Sequence, residues 1–287
     1  MIARVASTST IVRAANSADR QALQKLIQTS PALHQHLDWR QPLDWIDCPP
    51  FLVMERLGRI VAALACPPDP PEVAWFRLFA CQSGIPPTQA WAELWPPARD
   101  VLQLAAEIQI ASVALEEWYQ PLLEKTGFRR IYDVVMLSWE NHRALLPAPG
   151  FQGTIREIRA EDLAQLAVID ALAFAPLWRN SLDSIRLAYQ QAAIATLVED
   201  ESGIVGFQIS TYNPLGGHLA RLAVLPERQV GGIGYALVLD LLRRFRERGA
   251  LRVTVNTQEN NAASLALYRK ANFHRTREAF PIYCRNL

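Results

Sequence analysis

The segment Leu222-Ala-Val-Leu-Pro-Glu-Arg-Gln-Val-Gly-Gly-Ile-Gly-Tyr-Ala-Leu holds the densest set of residues suited to chemistry in this sequence. A strand-like run ends, a glycine-rich turn follows, and a helical run begins. Backbone N–H groups at the start of a helix have no acceptor within it. Together with the helix dipole they form an anion site, best suited to phosphate. Gly231, Gly232 and Gly234 carry no Cβ that would hold a phosphate at a distance. Two phosphate motifs are excluded. No Gly-Lys-Ser or Gly-Lys-Thr is present for a nucleotide P-loop, and Leu237 stands where a dinucleotide fingerprint needs its third glycine. No metal is expected, because Cys48, Cys66, Cys81 and Cys284 form no CxxC pair and the five histidines are scattered.

Gln229-x-x-Gly232-x-Gly234 resembles the acyl-CoA diphosphate loop of the GCN5-related N-acetyltransferase (GNAT) family. Leu222-Ala-Val-Leu-Pro is similar to that family's fourth strand and its exit. Asn261-(x)5-Leu267-Tyr268-(x)4-Phe273 is similar to its last helix, with Asn272-Phe273 replacing the usual Gly-Phe. The resemblance covers about 154–287 and, more weakly, 10–139. It implies acetyl-CoA as cosubstrate, held by backbone groups of Leu222, Ala223 and Val224 along the pantetheine arm. The N–H groups of Gln229, Val230, Gly231, Gly232, Ile233, Gly234 and Tyr235 would hold the diphosphate. The Val224 N–H would polarise the thioester carbonyl, as an oxyanion contact does. Asn261 would touch the arm or cap its helix. Tyr268 would protonate the departing thiolate, the alternative being a helix tyrosine that only packs. The amine needs a base acting through water, for which His218, Glu199, Asp200 and Glu157 are candidates. Transfer would be direct, in a ternary complex. The acceptor would be a small-molecule amine or a peptide or protein N-terminus.

These residues need strands and helices to place them. The pattern predicts a strand over 155–159 and a helix over 162–174. A hairpin over 195–199 and 204–212 follows, then a strand over 218–224. In the next helix, 232–248, Ile233, Leu237, Leu241 and Phe245 fall on one face, and Gly249 stops it. A strand over 251–256, a helix over 261–271 capped by Asn260 or Asn261, and a last strand at 282–285 complete the unit. The expected class is α+β, in α/β three-layer form: two tandem GNAT folds, each a mixed, mostly antiparallel sheet flanked by helices.

The doubling comes from the sequence itself. Arg13, Asp19 and Leu23 match Arg156, Asp162 and Leu166 at an offset of 143; further on, 122–130 matches 267–275 at an offset of 145. The expected units are 1–140 and 154–287, joined by a Pro/Gly-rich linker over 141–153. At the second offset Gly84, Pro87 and Gln89 stand for Gln229, Gly232 and Gly234, Leu123 for Tyr268, and Glu116 for Asn261. Pro86 and Pro87 remove two N–H donors where phosphate would sit. The first unit therefore reads as a degenerate copy without CoA chemistry. Trp39, Trp45, Trp75, Trp91 and Trp95 would belong to its core or line an acceptor pocket.

With 50% hydrophobic residues, 287 residues suffice for two cores. A net charge of +1 with no basic cluster argues against nucleic acid, and so against aminoacyl transfer from tRNA. No run spans a membrane and no signal peptide is present, so a cytoplasmic monomer or homodimer is expected. The other functional class kept open is a non-catalytic acetyl-CoA-binding or interaction protein.

Overall fold

In the computed structural model, residues 10–104, 107–142, 145, 150–151 and 153–287 are described. Of the expected linker, 143–144, 146–149 and 152 lie outside them. The chain divides into two compact units, 1–131 with 282–287, and 132–281. This differs from a cut at 140 and 154, because each unit takes a strand from beyond that cut.

The first unit contains β1 (Thr10–Ala14), α1 (Arg20–Thr29), β2 (Ala32–Gln35), β3 (Phe51–Arg56), β4 (Arg59–Ala65), β5 (Val73–Trp75), β6 (Leu78–Cys81), α2 (Pro87–Gln103), β7 (Gln109–Val113) and α3 (Gln120–Lys125). Five strands form one sheet in the order β1-β3-β4-β6-β2. β5 runs parallel to β7, and residues 282–286 pair with β7 from its other side. Trp45, Trp75, Trp91 and Trp95 are 2–6% exposed. Trp91 and Trp95 pack with Phe76 and Phe79 in the core. The pocket-lining alternative is thus overturned for these four residues. Their apolar area outweighs any recognition role, leaving the Trp45 and Trp91 indole N–H groups without partners.

The second unit begins in β8 (Arg129–Glu140). It continues through β9 (Thr154–Glu157), α4 (Leu163–Ala173), α5 (Leu182–Gln190), β10 (Ile194–Asp200), β11 (Gly203–Asn213) and β12 (Gly216–Val224). α6 (Ile233–Glu247), β13 (Arg252–Gln258), α7 (Ala262–Lys270) and β14 (His274–Asn286) follow. The sheet order is β8-β13-β12-β11-β10-β9, antiparallel except for the β12–β13 pair. The expected elements are present, with α5 added and the last strand lengthened. Ile233, Leu237, Leu241 and Phe245 are at most 5% exposed, so the four-residue spacing marks the buried face of α6. Phe245 packs on Gly217 so closely that a Cβ there would lie 2.7 Å from its ring.

The duplication recurs in side-chain detail. Arg13 makes a two-pronged bond to Asp19 and reaches Glu55; Arg156 does the same with Asp162 and Glu199. The Phe128 N–H donates to Leu123 O at 3.1 Å, and the Phe273 N–H to Tyr268 O at 2.9 Å. These matched bonds make Leu123 the structural counterpart of Tyr268.

Candidate active site

β12 and β13 are the strands that matter most. They pair in parallel only at Gly217–Val253, His218–Thr254 and Leu219–Val255. Beyond that, β12 stays with β11 to Val224 while β13 stays with β8 to Gln258. The two strands part where β12 carries an extra residue, Ala220, between its pairings at Leu219 and Arg221. Such a bulge bends its strand. An edge of β12 is left open over 220–224. The Leu225 N–H bonds Val205 O, toward β11. Alternation along the strand then turns the amides of Val224 and Leu222 into the split and that of Ala223 back to β11.

At the end of β12 the chain makes a short turn, Pro226–Arg228, and enters α6. Val230 and Gly232 have φ of 67° and 85°, in the left-handed region. Alternating such residues with ordinary ones turns successive N–H groups to one side. The first bond of α6 runs from the Ala236 N–H to Gly232 O, so the Gly232, Ile233 and Gly234 amides precede the helical ladder. A cradle for an anion results, and it fits a diphosphate. Val230 is a fully exposed β-branched residue in a strained conformation. Gln229 Nε2 donates to Val224 O at 3.1 Å, folding the loop onto the strand end. Arg228 bonds Ser202 Oγ at 2.9 Å and lies 3.1 Å from Asp200. A Cβ on Gly234 would meet Leu267 of α7 at 3.5 Å and Val224 at 3.7 Å. Tyr235 is buried, with Lys270 Nζ 4.7 Å from its ring centre.

Tyr268 is 5% exposed and packs on Phe273, ring centres 5.6 Å apart. Its hydroxyl has no hydrogen-bond partner among the described residues. Burial pushes the phenol pKa up, and the Arg221 charge acts in the opposite sense. Asn261 caps α7: its Oδ1 accepts from the Ser264 N–H at 3.0 Å, and its Nδ2 reaches Gln258 Oε1. Of the base candidates, Glu199 is bonded to Arg156, Asp200 to Ser202 and Arg228, and Glu157 lies exposed beside Arg244. Their cations already occupy these carboxylates. His218 lies on β12, two residues before the bulge, with Nδ1 2.8 Å from Thr254 Oγ1. Desolvation lowers its pKa, which favours the neutral, proton-accepting imidazole.

The first unit shows what closing this arrangement looks like. β5 pairs with β7 over three residues, as β12 does with β13, and β4–β6 matches β11–β12. Phe79, Ala80 and Cys81 then match Leu222, Ala223 and Val224. Their outer edge is occupied by β2, in the pairs His34–Phe79, Leu33–Ala80 and Ala32–Cys81. His34 of β2 also bonds Phe76 O and Ser112 Oγ of β7, and stacks on Tyr119. Pro86 caps α2 and Pro87 is its first residue. β2 is not legible in the sequence, because its four residues carry no strand pattern. Nor are Arg221 and its buried partner Asp170, whose mark in the sequence is a lone arginine in β12 and a lone acid in α4.

Residues 161–273 match the family model described as acetyltransferase (GNAT) family. That match lies within the second unit. A mycothiol acetyltransferase from Saccharomonospora viridis is 26% identical over 61% of this chain, which spans 63% of that relative's length. Two solved structures share the doubled fold along the chain. A GCN5-related N-acetyltransferase from Sphaerobacter thermophilus is 18% identical with a TM-score of 0.61, covering 96% of this chain and 95% of its own. A tandem GNAT protein from the clavulanic acid biosynthesis pathway is 16% identical with a TM-score of 0.61, covering 97% and 98%. Among the described residues, no helix is long and apolar enough to cross a membrane. Nor do three His, Cys, Asp or Glu side chains gather as metal ligands do among those residues.

Proposed function

We propose that this protein transfers an acetyl group from acetyl-CoA to a primary amine, using the second unit alone. The observation that carries the reading is the open edge of β12 ending in the anion cradle at 230–234. An extended amide-bearing chain pairs with the one, and a diphosphate is held by the other. Acetyl-CoA supplies the activated acyl group as a thioester. Leu222 and Val224 present strand amides and carbonyls to the arm. The Val224 N–H faces into the split, where it stabilises negative charge on the acyl oxygen. Ala223 serves the arm through packing, since its own amide turns the other way.

Tyr268 donates the proton that the departing sulfur needs. A buried phenol with a raised pKa remains protonated until that moment. His218, neutral and beside the bulge, takes the proton of the amine through water, in preference to the three ion-paired or exposed carboxylates. No cysteine lies in the split, and all four thiols are free, consistent with direct transfer. The relative's activity suggests an amine on a small polar metabolite as one acceptor class to try.

The test is thioester consumption with a panel of primary amines, run beside calorimetric titration with acetyl-CoA. Turnover with at least one amine and binding in the cradle support the reading. Binding without turnover of any amine would instead make the protein a non-catalytic acetyl-CoA binder.

A further inference from the structure

Arg221 follows the bulge residue of β12 and precedes the open edge. Its Nε and Nη2 donate to the two Asp170 carboxylate oxygens, both at 2.6 Å. Nη2 also donates to Trp178 O at 2.7 Å, and the guanidinium carbon lies 3.5 Å from the Phe174 ring centre. Asp170 has no exposed side-chain surface, and its Oδ1 accepts from the Asn180 N–H at 2.8 Å. One strand side chain thus fixes the end of α4 and most of the connection to α5. Trp178 is held further by its indole N–H, which donates to Tyr132 Oη of β8 at 2.6 Å.

We propose that Arg221 is a positioning residue for the acyl transfer: anchored by Asp170, it clamps residues 174–180 beside the split in β12 and so fixes the wall the incoming amine meets. The proposal rests on the function proposed above. Two arguments support it. A buried ion pair adds little net stability compared with an apolar pair of the same size, because desolvating both charges offsets their attraction. Stability is therefore a weak reason for placing this pair here. The second argument is proximity. Arg221 directly precedes Leu222, the first residue of the open edge whose amide turns into the split. Phe174 and Trp178, the groups Arg221 holds, then stand beside the start of that edge. The first unit also has a buried arginine, Arg77, just before β6, bonded to Asp38 at 2.7 Å. There Leu123 stands in the place of the tyrosine.

The decisive variant is the double substitution Arg221→Met with Asp170→Leu, which replaces the pair by apolar groups and keeps the protein folded. Arg221→Lys restores charge without the two-pronged grip. Each is compared with the parent by acetyl-CoA titration and by kinetics with the best amine of the panel. For the double variant, amine turnover should fall about tenfold or more and the amine KM should rise, with the acetyl-CoA affinity kept. Arg221→Lys should recover part of the loss. A folded double variant with the parent's turnover and amine KM would overturn the proposal. If the parent binds acetyl-CoA but turns over no amine, the function proposed above fails, and the clamp's catalytic role fails with it. Only the first of these results leaves that function standing.

Discussion

Tyr268 and Gly234 are the two residues on which the proposed chemistry turns. Tyr268→Phe keeps the ring on Phe273 and removes only the hydroxyl. Turnover should fall about 10²-fold, the effect usual for losing a general acid, with acetyl-CoA affinity unchanged. Unaltered turnover would leave Tyr268 as a packing residue. Gly234 is the better loop position to probe than Gly232, whose φ of 85° strains any other residue. At Gly234 a Cβ meets its neighbours at ordinary contact distance, so Gly234→Asp should fold. Its carboxylate would stand beside the diphosphate, and titration should detect no acetyl-CoA binding. Normal affinity would remove the cradle from the site. Both residues were legible in the sequence, because spacing identifies a loop and a helix motif. Arg221 was not. Its meaning depends on Asp170, 51 residues away, and only the fold brings the two together.

At the scale of elements, the paired arginine–aspartate braces join β1 and β9 to the turns that open α1 and α4. The Arg156 side chain, hydrogen-bonded to Asp162, holds that carboxyl below its usual range. A depressed carboxylate stabilises the fold at every pH above its unfolded pKa of about 3.9. That contribution disappears as pH falls through the lower folded value. Asp162→Asn should therefore cost about 2 kcal/mol at neutral pH, the scale of charged hydrogen bonds, and close to nothing in strong acid. Denaturant unfolding at the two pH values measures the difference; an equal loss at both would contradict it. Helix α6 was readable because its apolar residues recur every four positions and Gly249 ends it. β2 was not, since Ala32-Leu-His-Gln has no alternation and its partner strand lies some 45 residues away in sequence.

For the whole molecule, the doubling was legible as a nearly constant offset, and the matching bonds at Leu123 and Tyr268 bear it out. The exchange of end strands was hidden, because it joins β7 to residues at the far end of the chain. Long-range pairing of that kind leaves no local mark. The consequence for binding is asymmetric. In the first unit β2 lies along the edge of β6 that matches the open edge of β12, and Pro86 and Pro87 remove amides from the helix start. Calorimetry should give one acetyl-CoA per chain. Pro87→Gly should not add a second, because β2 still fills the edge.

The most direct measurement is a crystal structure of the protein with acetyl-CoA. The diphosphate should lie on the amides of 230–234, with the arm against Leu222 and Val224 and the sulfur within reach of Tyr268. Acetyl-CoA bound along β6 of the first unit, or away from β12 altogether, would contradict the account.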